Sequence, residues 1–132
     1  MKFVETKLTN EEYEKLVADT FGEYMPHVQH NIIVCKDGEN IVGVFNYFRY
    51  GLDVMFLHRS WYSKEYQRKI RKVQYWLSFC DYAKGQGYKS IMGVINSENI
   101  PALIWALKTG FKISGIRQAQ DNSLIIDITR AL

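Results

Sequence analysis

Apolar and polar residues alternate in some stretches of this chain and recur every three or four residues in others. The switches between the two periods mark its elements. Phe3 with Glu5 and Val4 with Thr6 alternate within 2–7, which suits a first strand. Thr9-Asn10-Glu11-Glu12 follows as S/T-x-x-E, a capping box that opens a helix. Tyr13, Leu16, Val17, Phe21 and Tyr24 continue at helical spacing until Gly22 and Pro26 close the turn. Ile32 to Cys35 is a short apolar run, and Asp37-Gly38 supplies the positive φ of a hairpin turn after it. Ile41 to Tyr50 is the return strand. Gly51 and Asp53 mark a second turn, and Val54 to Tyr62 completes a three-stranded antiparallel meander.

The period then changes. Tyr66, Ile70, Val73, Leu77, Cys80 and Ala83 recur in three- and four-residue steps, with Trp76 widening the stripe, so a long helix is expected from about Glu65 to Lys84. Gly85 and Gly87 end it. Tyr88 to Ile95 reads as a buried strand, and strand–helix–strand at this spacing predicts a parallel pair with a right-handed crossover. Asn99 or Ile100 caps the next helix, Pro101 sits in its first turn, and Leu103, Ile104 and Leu107 form its expected apolar face. Phe111–Gln118 and Ser123–Thr129 close the chain as a hairpin around Gln120-Asp121-Asn122. The expected fold is α+β in a single domain, 1–132. One mixed, mostly antiparallel sheet of six to seven strands is flanked by three main helices.

Composition narrows the class without changing this outline. With 132 residues, 47% apolar and 23% charged, the chain is globular and large enough for one core. Cys35 and Cys80 have no metal-like spacing and read as free thiols of a reducing compartment. His27 and His30 read as polar loop residues, with no acid or Cys at ligand spacing, so no metal is expected. The start, Met1-Lys2-Phe3-Val4-Glu5, lacks the apolar core of a signal peptide, and no run reaches the ~18–20 apolar residues of a membrane span. A cytoplasmic protein without a membrane partner is the expectation.

Charge does change the picture. Between Ser63 and Val73 stand Lys64, Arg68, Lys69, Arg71 and Lys72 against one acid, Glu65, a net +4 in a chain of +3. The rest of the molecule therefore carries −1. Cations at a helix N-terminus meet the positive end of its dipole unless an anion lies between them. The stretch is either an anion site or a solvated charged face. With Trp61, Tyr62 and Tyr66 interleaved, it also fits single-stranded nucleic acid.

From Asn99 to Phe111, N-I-P-A-L-I-W-A-L-K-T-G-F resembles the C-terminal motif of the GCN5-related N-acetyltransferases (GNAT), with Asn99, Ala102, Lys108, Gly110 and Phe111 in register. Gly87 to Ile91 is also similar to that family, and the element order matches it over essentially the whole chain. The resemblance implies acetyl-CoA, or another acyl-CoA, bound where the strands 54–62 and 88–95 splay apart. Ser60, Trp61 and Tyr62 would face the pantetheine arm. The pyrophosphate would rest at Gln67, Arg68, Lys69, Ile70, Arg71, Lys72 and Val73. Gln67 fits the family's loop R/Q-x-x-G-x-G/A, but Ile70 and Lys72 stand where its glycines belong. A helix N-terminus still offers N–H groups there, and the added cations suit a polyanionic cofactor.

The family's acid Tyr is absent as well: its position is Ala106, beside Trp105. As general base the resemblance offers His58, whose side chain otherwise reads as a half-exposed strand residue. Glu65 is a second candidate near the cleft, or a first-turn acid complementing the helix dipole. Asn99 is either a contact to the pantetheine amide or a helix cap. Arg59 and Trp61 either border the acyl pocket or alternate along their strand. The basic loop and missing Tyr are similar to GNAT-like internal virion proteins of short-tailed phages, which implies a host-cytoplasm or virion location. Three functions follow: transfer of an acetyl group to a small-molecule or protein amine, a non-catalytic GNAT-fold structural or binding role, and nucleic-acid binding through 64–72. The strand Phe45 to Tyr50 is either a pairing face or core, so the pattern leaves oligomeric state open.

Overall fold

In the computed structural model, residues 2–21, 31–63 and 71–132 are described. Their elements are β1 (Lys2–Thr6), α1 (Asn10–Phe21), β2 (Asn31–Asp37), β3 (Asn40–Tyr50), β4 (Val54–Tyr62), α2 (Arg71–Gly85), β5 (Ser90–Asn96), α3 (Ile100–Lys108), β6 (Lys112–Gln118) and β7 (Leu124–Ala131). The seven strands form one sheet in the order β1-β2-β3-β4-β5-β7-β6. β4 and β5 are parallel, as the crossover helix between them requires. β1–β2, β2–β3, β5–β7 and β6–β7 are antiparallel. The fold is the α+β arrangement expected, a mixed sheet with three helices among the described residues. The chain divides into two compact units, Met1–Phe48 with Leu57–Tyr75, and Arg49–Phe56 with Trp76–Leu132.

The first unit is held by α1 on β2 and β3. Its capping box closes as the sequence predicts: Glu12 N–H donates to Thr9 Oγ1 at 3.2 Å, and Thr9 N–H to Glu12 Oε1 at 3.3 Å. The helix brings Tyr13 onto Ile32, Val34 and Val44, with Val4, Leu8, Leu16 and Ile41 packed around them. Tyr13 reaches through this apolar layer to donate to the Oδ1 of buried Asn46 at 3.2 Å. A buried amide without such a partner would be costly. The opposite side of the sheet carries aromatic rings: Phe45 lies 6.2 Å from Phe3 and 5.5 Å from Tyr62. Near the strand ends the Tyr47 hydroxyl donates to the Glu5 carboxylate.

The second unit is built on Trp76, which stacks obliquely on Phe79 at 5.4 Å and on Phe111 at 5.7 Å. Two expected helix faces need correction here. In α2 Trp76, Cys80 and Ala83 are buried as expected, but Val73 and Leu77 are exposed, and Tyr75 and Phe79 are buried in their place. The large aromatic side chains gain most from burial and turn the helix toward themselves. In α3, Ile104 and Leu107 are exposed, and Ala106 is the buried contact. A small residue lets that helix approach closely. The turn after α3 is fixed by Gly110, at φ +94, and by Arg130, whose Nε–H donates to Thr109 O at 2.8 Å.

Candidate functional site

β4 pairs with β5 over only part of its length. Its parallel pairing with β5 covers Val54–Ser90, Met55–Ile91 and Phe56–Met92 and ends there, although β4 runs on to Tyr62 and β5 to Asn96. Within the first unit, Phe45 meets Tyr62 edge-on, and Phe48 meets His58 at 6.1 Å. β3 keeps regular register with β2 from Gly43 to Tyr47. At the end of the strand Ser63 N–H donates to Val42 O at 2.9 Å.

This geometry places several of the predicted residues. His58 and Ser60 are exposed on β4, and Tyr62 is buried at 5% exposure. Arg59 is half-buried, and its charge is felt by the Tyr13 phenol. Burial raises that phenol's pKa, opposed by the Asn46 bond and by Arg59. Trp61 lies within β4. Arg71, Lys72 and Val73 are the first described residues of α2, whose first described turn holds no acid. Val73 is 37% exposed. Glu65, Gln67, Arg68, Lys69 and Ile70 lie outside the described residues, as do His27 and His30.

Asn99 belongs to the second unit and caps α3: its Oδ1 accepts the Ala102 N–H at 3.3 Å. Pro101 pre-sets the first turn. Ala106 is buried at 4% exposure, so no hydroxyl acid stands at that position of α3. A concavity of about 530 Å³ in this unit is lined by Val94, Asn96, Gln120, Asp121, Ser123 and Ile125. Asp121 accepts from Ser123 N at 3.0 Å and Oγ at 2.6 Å, which holds its carboxyl below the usual range.

Cys35 and Cys80 are free and buried, and burial pushes the Cys35 thiol up to about 12 and the Cys80 thiol up to about 11. The thiolate is thereby suppressed at neutral pH. No group of three His, Cys, Asp or Glu suits a metal ion among the described residues. None of the described helices is long and apolar enough to cross a membrane.

The described residues thus give a strand end with His58 exposed, and a helix whose first described turn holds no acid and begins with Arg71 and Lys72. The residues fit an anionic cofactor laid along β4: exposed Ser60 offers a polar edge, and no described carboxylate opposes a phosphate at α2. What sequence reading missed are the ring contacts of Tyr62 with Phe45 and of His58 with Phe48, which join separate strands and which no local motif signals.

No protein-family profile matches the chain, and no curated protein sequence matches it. Solved structures do. A GNAT family acetyltransferase from Elizabethkingia anophelis, with acetyl-CoA bound, superposes with a TM-score of 0.70 at 16% identity, covering 99% of this chain and 97% of that one. A Bacillus subtilis acetyltransferase in complex with CoA gives 0.69 at 15%, covering 99% and 98%. The ribosomal-protein-S18-alanine N-acetyltransferase of Escherichia coli gives 0.69 at 12%, covering 98% and 94%. At these identities the likeness establishes the fold, which is that of the GNAT acetyltransferases.

Proposed function

We propose that this chain is an N-acyltransferase of the GNAT superfamily, taking its acyl group from acetyl-CoA and passing it to an amine. The observation that carries the reading is the GNAT fold, shared over 99% of the chain with a structure that holds acetyl-CoA. Neighbours of the same fold were solved with acetyl-CoA or CoA, and one is named for an alanine amine acceptor. Bound acetyl-CoA supplies an activated acyl carbon. The chain's own residues do the rest. Ser60, Trp61 and Tyr62 hold the pantetheine arm along β4. Gln67 to Val73 receive the pyrophosphate, with Arg68, Lys69, Arg71 and Lys72 compensating by charge for the missing loop glycines. A backbone N–H of β4 faces the carbonyl oxygen as negative charge develops there. The amine nitrogen bonds to the acyl carbon, the carbon–sulfur bond breaks, and His58 accepts the ammonium proton. Solvent protonates the thiolate, because Ala106 cannot. Buried free thiols support a reducing, cytoplasmic setting.

Ala106 and the glycine-free loop favour a second reading, a non-catalytic GNAT-fold protein of the phage type, in the host cytoplasm or the virion. Titration calorimetry separates the two. The enzyme reading expects acetyl-CoA to bind with a Kd on the order of micromolar, and His58→Ala to lower kcat by about 100-fold with binding unchanged. Absence of heat and of any thermal shift at about millimolar acetyl-CoA would sink it. Binding of single-stranded DNA that weakens steeply with salt, and is lost in an Arg68→Glu, Arg71→Glu variant, would assign the basic stretch to nucleic acid instead.

A further inference from the structure

One side of α3 is left over by the packing of the second unit. The helix turns Ala106, and just past its end Thr109, into the interior, at 4% and 3% exposure. Its other side carries Ile100, Ile104 and Leu107, exposed at 52%, 47% and 47%. Steps of four and three residues put these side chains in one line along the helix, the spacing of a coiled-coil seam. Lys108 is the single charged residue within α3, so no charge interrupts the line. Singly scattered apolar residues on a surface are ordinary, but an aligned row of them marks an interaction face.

The charges at the two ends of the row say what covers it. Glu98 stands just before the helix, its backbone fixed where its N–H donates to Asn96 Oδ1 at 2.9 Å. Lys108 closes the helix at the other end. Both are exposed, and neither forms an ion pair among the described residues. An acid at one end and a base at the other complement a second α3 that runs the opposite way. The midpoint of Ile100 and Leu107 falls between Leu103 and Ile104, and that of Glu98 and Lys108 falls at Leu103. One twofold axis therefore serves both sets. It lays Ile100 against the partner's Leu107 and brings Glu98 level with the partner's Lys108 to within about 1.5 Å, one residue's rise. A parallel pair would set Glu98 on Glu98 and Lys108 on Lys108, which repel. The signs singly also suit the helix dipole. The shared midpoint does not follow from the dipole, and it makes the face complementary to itself.

We propose that α3 is a self-association face, through which two copies of this chain form an antiparallel, twofold α3–α3 pair. The contact is small, so the pair is weak, with a Kd on the order of 10–100 µM. Sedimentation velocity of the intact chain, from about 1 µM to about 1 mM, brackets that Kd. A shift from monomer to dimer is expected, with no larger species, because a twofold face closes on itself. Ile104→Glu sets like charges beside the axis and should remove the dimer over the whole range, with circular dichroism unchanged because the side chain lies at the surface. Glu98→Lys should weaken the dimer at least about tenfold, by bringing cations together. Adding Lys108→Glu to it should restore the parent affinity, since the pairs re-form with their signs exchanged. That rescue tells a paired arrangement from mere stickiness, and it decides the matter even if Ile104→Glu fails to fold. A chain still monomeric at about 1 mM, growth beyond the dimer, a dimer untouched by Ile104→Glu, or no rescue on charge exchange would each overturn the proposal.

Discussion

β2–β3 and β6–β7 are both antiparallel pairs rich in β-branched residues, yet they use them differently. Six consecutive residues of β3, Val42 to Tyr47, are buried, and β2 buries Ile32 and Ile33 to 2% and 1% exposure. No residue of β6 is buried, and its Ile113 and Ile116 stand 47% and 64% exposed. Hydrophobicity does not separate the two pairs, since isoleucine occurs in both. Cover does. β3 has Tyr13 of α1 on one side and the rings of Phe3 and Tyr62 on the other. β6 is the last strand of the sheet and pairs on one edge only. Its two isoleucines lie opposite Ile128 and Ile126, buried at 6% and 7%, so they share the apolar side of the hairpin but extend past its covered part. A strand covered on both sides reads as a continuous apolar run, and one at the rim keeps its pattern while losing its shelter.

The contrast breaks most sharply under truncation. Phe45 is fully buried between two rings, so Phe45→Ala should destabilise the protein by about 3–5 kcal/mol, transfer term and cavity together. Ile116→Ala should stay within about 0.5 kcal/mol, since much of that side chain already meets water. Urea denaturation measures both. A large loss at Ile116 would mean that the rim is sheltered in solution by something the isolated chain does not supply.

One position in the C-terminal unit should be nearly as sensitive as Phe45 despite being exposed. Gly110 holds φ +94, where a side chain is strained, and an added Cβ would come within 2.8 Å of Arg130 Nε. That nitrogen is not free to yield, because it donates to Thr109 O. Gly110→Val should therefore cost about 2–3 kcal/mol, through backbone strain and loss of the Arg130 bond. Pairing it with Arg130→Ala separates the two parts: the clash disappears in the double variant and the backbone strain stays.

How much of this was legible in the sequence depends on how far apart the deciding residues are. Thr9 and Glu12 are three residues apart and carry their own bonding rule, so the start of α1 was readable. So were the turns at Gly38 and Asn122, both at positive φ, and the parallel β4–β5 pair, which follows from crossover length. The faces of α2 and α3 were not. Leu77, Ile104 and Leu107 sit at proper helical spacing, but Tyr75, Phe79 and Ala106 fill the interior instead, and spacing is blind to which of two adjacent stripes packs better. The site divides in the same way. His58, Ser60 and Tyr62 could be placed on β4 because they lie on a recognisable strand. The Phe48 and Phe45 rings beside His58 and Tyr62 were hidden, because they belong to another strand.

The smallest expected effect decides a residue with two possible roles. The Asn99 Oδ1 is engaged as the cap of α3 through the Ala102 N–H, which leaves only its amide N–H groups to offer a pantetheine carbonyl. Asn99→Ala removes both and should lower stability by about 1 kcal/mol. Asn99→Asp keeps an accepting oxygen, and its charge suits the positive end of the helix, so stability should return to within a few tenths of a kcal/mol of the parent. What Asp cannot do is donate. If the cap is the whole role of Asn99, acetyl-CoA affinity in Asn99→Asp should match the parent, since nothing at the helix start has moved. A loss of about five- to tenfold with stability retained, the size of one neutral hydrogen bond, would instead assign the amide to the cofactor.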